Sequence, residues 1–208
     1  MKTFDYAIDG IFPVPVYYSF DVKKFTKAEL TAVNNHKKNC YGNVGNITSN
    51  NTYVLNTKSF QQLKSTLTRH INEYFQKVYM PKKKDLKLYI TQSWLNYTKN
   101  NEFHHLHSHQ NSFVSGVIYI KADPEFDSIV LERRQPLENI LMNPHTYGLF
   151  NSAQWNYKIK TGMLILFPST TPHSVKTKKD NNERISLAFN TYIKGTLGDT
   201  KSLTELIL

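Results

Sequence analysis

Between residues 59 and 79, apolar and aromatic side chains stand at Phe60, Leu63, Leu67, Ile71, Phe75 and Val78, the spacing of one helical face. Ser59 occupies the position of an N-cap for this helix. A second helix is read over residues 21–35. Ahead of it, residues 10–20 are apolar but broken by Pro13 and Pro15. Proline supplies no backbone donor, so this stretch suits an edge strand or an extended arm. Residues 31–57, rich in Asn, Gly and Thr, read as a loop.

After Pro81 the helical spacing gives way to short strand-like runs, over residues 86–97, 112–120, 128–132, 157–160, 163–168, 173–177 and 184–192. Strands that follow one another without helices between them argue against a parallel α/β sheet. They predict an α+β, mainly β protein: an antiparallel sandwich or barrel with helices packed outside. The length of 208 residues suits one domain. Within it we expect an N-terminal arm and supporting helices over 1–85, a β core over 86–195 and a tail over 196–208. The stretch 133–155 contains Pro136, Pro144 and Gly148 and exceeds an ordinary connection, as a lid over a site would. The apolar tail 203–208 packs either on its own domain or on a partner, and the oligomeric state stays open.

Composition narrows the class. Hydrophobic residues at 39% and charged residues at 20% are a globular balance and exclude a disordered chain. No run of about 18 apolar residues occurs, and the first twenty residues lack a basic segment followed by an apolar one. No membrane association is expected. Cys40 is the only cysteine, so no intramolecular disulfide forms and a reducing, cytoplasmic setting is expected. A net charge of +10 would attract nucleic acid, acidic protein or a small anion. The clusters at 82–84 and 176–179 lack interleaved aromatics, however, and read as a solvated basic face.

The chemistry concentrates in one short run holding His104, His105, His107 and His109. In an extended segment alternate side chains share a face, which groups His105, His107 and His109 and turns His104 away. Two of these imidazoles can chelate one iron, zinc, copper or nickel ion. His173, after the apolar run 162–168 and the turn 169–172, is the candidate third ligand. Further on, Arg184, Ser186, Ala188 and Asn190 fall on one strand face. A guanidinium flanked by a hydroxyl grips a carboxylate through charge-assisted hydrogen bonds. The plainer readings stand beside these: His105 pairing with His107, His104 and His105 as surface or supporting residues, Arg184 in a surface ion pair, and Tyr119 and Ser186 as barrel filling.

A His-x-His pair, then Ser-Gly-Val-Ile-Tyr at 115–119, Phe-Pro-Ser at 167–169, His-x-Val at 173–175 and Arg-Ile-Ser-x-x-Phe-Asn at 184–190, resembles the Fe(II)- and 2-oxoglutarate-dependent oxygenases. The likeness is greatest to a bacterial and phage subgroup and covers roughly residues 92–192; shorter likenesses lie at 12–16 and 94–96. It implies a double-stranded β-helix, the jelly roll also seen in cupins. It makes His107 and His109 the paired iron ligands, His173 the distal ligand, and Arg184 the partner of the distal 2-oxoglutarate carboxylate. Ser186, Tyr119 and Asn96, whose amide donates to carboxylate oxygens, would assist. Fe(II), 2-oxoglutarate and O2 are the implied cofactor, cosubstrate and oxidant, with decarboxylation coupled to hydroxylation of an unidentified substrate. The commoner family pattern pairs His with Asp or Glu. Three neutral imidazoles leave the iron more positive and also accept zinc or nickel. Two other functions remain: a cupin-type metal enzyme not using 2-oxoglutarate, and a non-catalytic basic module binding nucleic acid or protein.

Overall fold

The computed structural model describes residues 5–134 and 143–208, so part of the expected lid, including Pro136, lies outside the described residues. In chain order the elements are β1 (Tyr17–Ser19), α1 (Lys27–Lys37), β2 (Cys40–Asn43), β3 (Asn46–Ser49), α2 (Gln61–Val78), β4 (Lys87–Thr98), β5 (His104–His107) and β6 (Val114–Lys121). Next come β7 (Ser128–Glu132), β8 (Gln154–Lys158), β9 (Leu164–Pro168), β10 (His173–Val175), β11 (Arg184–Lys194), β12 (Thr196–Leu197) and β13 (Leu206–Ile207).

Two antiparallel sheets face one another. The larger has the order β1-β9-β6-β11-β4-β3-β2, the smaller β5-β10-β7-β8. From β4 to β11 the chain contributes to one sheet and then the other, in the order of a double-stranded β-helix. The larger sheet also takes in β1, β2 and β3 from before residue 86.

The central strand β11 shows how the sequence builds both layers. Ile185, Leu187 and Phe189 join a buried cluster with Leu63, Leu67 and Ile71 of α2. Arg184, Ser186 and Ala188 line the space between the sheets instead. Both faces of β11 are therefore covered, and its residues 184–191 are all buried. Helix α2 presents Leu63, Leu67, Ile71, Tyr74 and Phe75 to the sheet, close to the predicted stripe.

Several local expectations change. Asp21 adopts φ 55°, a left-handed conformation in which no right-handed helix can start. Helix α1 begins instead after Thr26, which forms a capping box with Glu29. Ser59 lies inside a single 3₁₀ turn, Lys58–Phe60, that leads into α2, so Phe60 and not Ser59 holds the cap position. The predicted loop 31–57 carries the end of α1 and the hairpin β2–β3. Gly45 makes this turn at φ +89°, with the backbone oxygen of Phe103 2.7 Å from where a Cβ would stand. The C-terminal tail folds back as the small hairpin β12–β13 and leaves Leu203 and Ile207 exposed. No helix among the described residues is long and apolar enough to cross a membrane.

Gly116 of β6 lies directly across from Phe189 of β11. A Cβ there would stand 2.2 Å from the Phe189 ring and 2.7 Å from Leu166. Gly116→Ala is expected to destabilise the fold by about 1–3 kcal/mol through overpacking, read as a lowered urea midpoint at unchanged slope. An unchanged midpoint would show that the ring moves aside without cost.

Candidate metal centre

Strands β5 and β10 pair with His173 opposite His107 and Val175 opposite His104. Along this pairing β10 advances two residues while β5 advances three, so β5 holds a bulge. The bulge overturns the simple alternation expected for this run. His104, His107 and His109 line the cavity between the sheets, and His105 is not among its lining residues. The expectation that His104 points away is therefore corrected. It fails because one extra residue reverses the facing of everything before it.

His107 donates from Nδ1 to the carbonyl of His105 at 2.8 Å, and His173 from Nδ1 to the carbonyl of Thr171 at 3.1 Å. A carbonyl only accepts, so both rings carry their proton on Nδ1 and direct an Nε2 lone pair into the cavity. His109 Nε2 lies 3.3 Å from His173 Nε2. With metal–nitrogen bonds of about 2.1 Å, adjacent donors on a tetrahedral or octahedral cation stand about 3.0–3.4 Å apart. The ligand atoms of His107, His109 and His173 all fall within 4.8 Å of one another. Burial, the largest cause, with the neighbouring histidines adding to it, lowers the pKa of His109 to about 4 and of His173 to about 2. All three are neutral near pH 7 and present lone pairs to a cation.

His104, His105 and His107 also lie within this reach of one another. Their geometry is different, because the rings of His104 and His107 stack at 4.6 Å with only 16° between their planes. A lone pair lies in the ring plane, so nearly parallel rings aim theirs side by side. The rings of His107 and His109 stand at 79°, and those of His107 and His173 at 51°. The inner three converge and the outer three do not. This donor geometry favours the pair His107 and His109 over the rival His105 and His107.

The cavity has two ends. At one, Trp94 of β4 lies 5.7 Å from the His109 ring, ring centre to ring centre. At the other, Thr98 of the same strand accepts from Arg184 Nη2 at 3.0 Å. Between them the side-by-side residues Tyr119, Ser186 and Asn96 form a row across β6, β11 and β4. All three line the cavity with the histidines. The Asn96 carbonyl oxygen accepts from Thr48 at 2.8 Å, which turns its amide nitrogen free. Arg184 is 3% exposed, and among the described residues its Nε has no hydrogen-bond partner. The surface ion pair considered for Arg184 is excluded by its burial; its nearest carboxylate, Asp127, is buried with it, and the spare donor suits a further anion. Free space in the cavity is about 40 Å³, room for only a few waters, so entry of a larger ligand requires lining side chains to part.

Sequence reasoning missed the support behind this site. Asp127 lies 4.0 Å from Arg184 and 2.9 Å from Lys178, whose ammonium also meets Asp180 at 2.5 Å. Lys178 had been counted in a solvated basic run, yet it is 2% exposed. Its register in the strand-free segment 176–183 carries no signal that it turns inward. A second network joins Ser112 to Ser169, Ser169 to Ser115, and Ser115 to Asn190, at 2.7 to 3.0 Å. The backbone N–H of His109 donates to Ser169 at 3.0 Å, so this network anchors the segment that carries His109. The Ser115, Ser169 and Asn190 positions were visible as motif residues, though not their mutual contact.

An antiparallel jelly roll thus encloses a cavity with histidines converging at one end and a buried arginine at the other. A family model described as "Putative 2OG-Fe(II) oxygenase" matches residues 92–190, the stretch from within β4 to within β11 that carries the histidines and Arg184. Among solved structures, the fold is similar to an oxidoreductase of the 2OG-Fe(II) oxygenase family from Burkholderia pseudomallei, at 12% identity and TM-score 0.58, covering 85% of this chain and 83% of that one. It is similar to HygX from Streptomyces hygroscopicus, solved with nickel, 2-oxoglutarate and hygromycin B, at 12% identity and TM-score 0.58, with 86% and 82% covered. A Pseudomonas putida prolyl-4-hydroxylase aligns at 13% identity and TM-score 0.54, with 85% and 92% covered. At these identities the likeness is one of fold. No curated protein matches the chain by sequence.

Lys178 has two carboxylates as partners and almost no solvent. Lys178→Met keeps the stem and removes the charge, leaving two buried carboxylates with Arg184 as their nearest cation. We expect a loss of about 3–5 kcal/mol, measured by chemical denaturation. A loss below about 1 kcal/mol would show that water reaches this cluster.

Proposed function

We propose that His107, His109 and His173 hold Fe(II), and that Arg184 with Ser186, Tyr119 and Asn96 seats 2-oxoglutarate, in an enzyme that hydroxylates a separate substrate. The observation that carries the reading is the shared cavity: three converging imidazole donors at one end and a buried guanidinium with a spare donor at the other. Iron held by His107, His109 and His173 would supply the redox chemistry for 2-oxoglutarate + O2 + R–H giving succinate + CO2 + R–OH.

The chain's own residues set the conditions for this reaction. Three neutral imidazoles leave the double positive charge of the cation uncancelled, and a cosubstrate carrying two negative charges restores neutrality in a buried place. The Nδ1–H bonds of His107 and His173 fix their ring orientation. Arg184, held by Thr98 and flanked by Asp127, meets the distal carboxylate with charge-assisted hydrogen bonds. The fit to zinc or nickel follows from the same donors, so metal content must be measured before activity is judged.

The test is an anaerobic titration of Fe(II)-loaded protein with 2-oxoglutarate, following the visible metal-to-ligand charge-transfer band. His173→Ala is expected to abolish the band at matched total iron. Arg184→Ala is expected to raise the half-saturating concentration by roughly 10–100-fold, the worth of a hydrogen bond to a charged group. No band in fully loaded wild type would overturn the reading in favour of a metal enzyme that does not use 2-oxoglutarate.

A further inference from the structure

His104 is the one cavity-lining histidine that the proposed iron site does not use. It is the residue that the β5 bulge brings inward, and its neighbour across the strands, Val175, lines the same cavity. Its position along the cavity follows from three strands read together. On β10, His173 stands at the metal end and Val175 two residues further from it. On β4, Trp94 stands by His109 and Thr98 by Arg184. On β5, His107 stands opposite His173 and His104 opposite Val175. His104 therefore lies toward the Arg184 end. The segment just before it confirms the placement: the Glu102 carbonyl accepts from the Lys178 backbone, and the Lys178 ammonium reaches Asp127, which flanks Arg184.

Within that end of the cavity the ring of His104 packs flat against His107, on which it stacks at 4.6 Å. Among the described residues no hydrogen bond is made by either of its ring nitrogens, although the residue is partly buried and lines a cavity. An imidazole in this position has an N–H to give to water or to a ligand acceptor that enters the cavity. A carboxylate already drawn there by a guanidinium is the acceptor that the chemistry of the cavity provides.

We propose that His104 is a second cosubstrate contact, donating a ring N–H to the distal carboxylate of 2-oxoglutarate beside Arg184. This rests on the function proposed above. The two nitrogen donors then approach the carboxylate from the two sheets, Arg184 from the larger and His104 from the smaller, so closure of the jelly roll itself shapes the dicarboxylate site.

The experiment separates this role from propping of His107. Apo protein is loaded with Ni(II), which binds without turnover, and two affinities are measured by calorimetry: Ni(II) for the apo protein, then 2-oxoglutarate for the loaded protein. His104→Phe keeps a flat ring on His107 and removes the donor; His104→Leu removes the donor with a smaller apolar side chain and no ring; His104→Gln restores a donor without the ring. We expect Phe or Leu to bind Ni(II) within about twofold of wild type and 2-oxoglutarate at least tenfold more weakly, with Gln recovering most of that loss. The proposal is overturned if Phe and Leu both leave 2-oxoglutarate affinity unchanged. It is equally overturned if both lose Ni(II) and 2-oxoglutarate together, or if Gln recovers nothing. Failure of Ni(II)-loaded wild type to bind 2-oxoglutarate is a different result and overturns the function proposed above.

Discussion

The backbone pairing of His107 with His173 is the contact on which the rest of this centre depends. It sets two imidazoles side by side from strands that are distant in sequence, each already committed through Nδ1 to a backbone carbonyl. Once those protons are placed, the remaining nitrogens have no use for one another and both require an electron-poor partner. His109 completes the group from just beyond the strand end, tied through its amide to Ser169 and so to the end of β9 in the opposite sheet. The three donors thus draw on both layers of the jelly roll, and the integrity of the fold and of the centre are the same physical matter.

The arginine end obeys a different constraint. A guanidinium inside a protein is stable only with its charge compensated and its donors occupied. Here Asp127 is shared between Arg184 and Lys178, Asp180 balances Lys178, and Thr98 takes one donor. The two acids and two bases cancel, and a donor remains on Nε. An arrangement that is neutral yet not fully hydrogen-bonded keeps a donor for a further acceptor, which a fully satisfied cluster would not.

Much of this was legible from the residue pattern. The two-residue alternation of β11 gave the inward set Arg184, Ser186 and Ala188 because a central strand, covered on both sides, keeps its register. The stripe of α2 was legible for the same reason, one face being buried along its whole length. The alternation failed in β5, where His104 and not His105 faces inward. A bulge is a property of two paired strands, and neither strand announces it alone. Lys178 was misread because a lysine among lysines looks solvated, and its partners Asp127 and Asp180 are recognised only after the turns holding them are folded. Asp21 delayed α1 through its backbone conformation, and the hairpin β2–β3 hid among loop-forming residues.

The bulge makes the length of this segment as constrained as its composition. Strict alternation counted back from His107 would put His105 inside and His104 outside; three steps of β5 against two of β10 do the opposite. Removing a single residue between His104 and His107 would keep His107, His109 and His173 and change only which side chain faces the Arg184 end of the cavity. Insertion or deletion here would therefore retune the Arg184 end of the cavity with every histidine kept, and counts of residues between the histidines carry information that their identities do not.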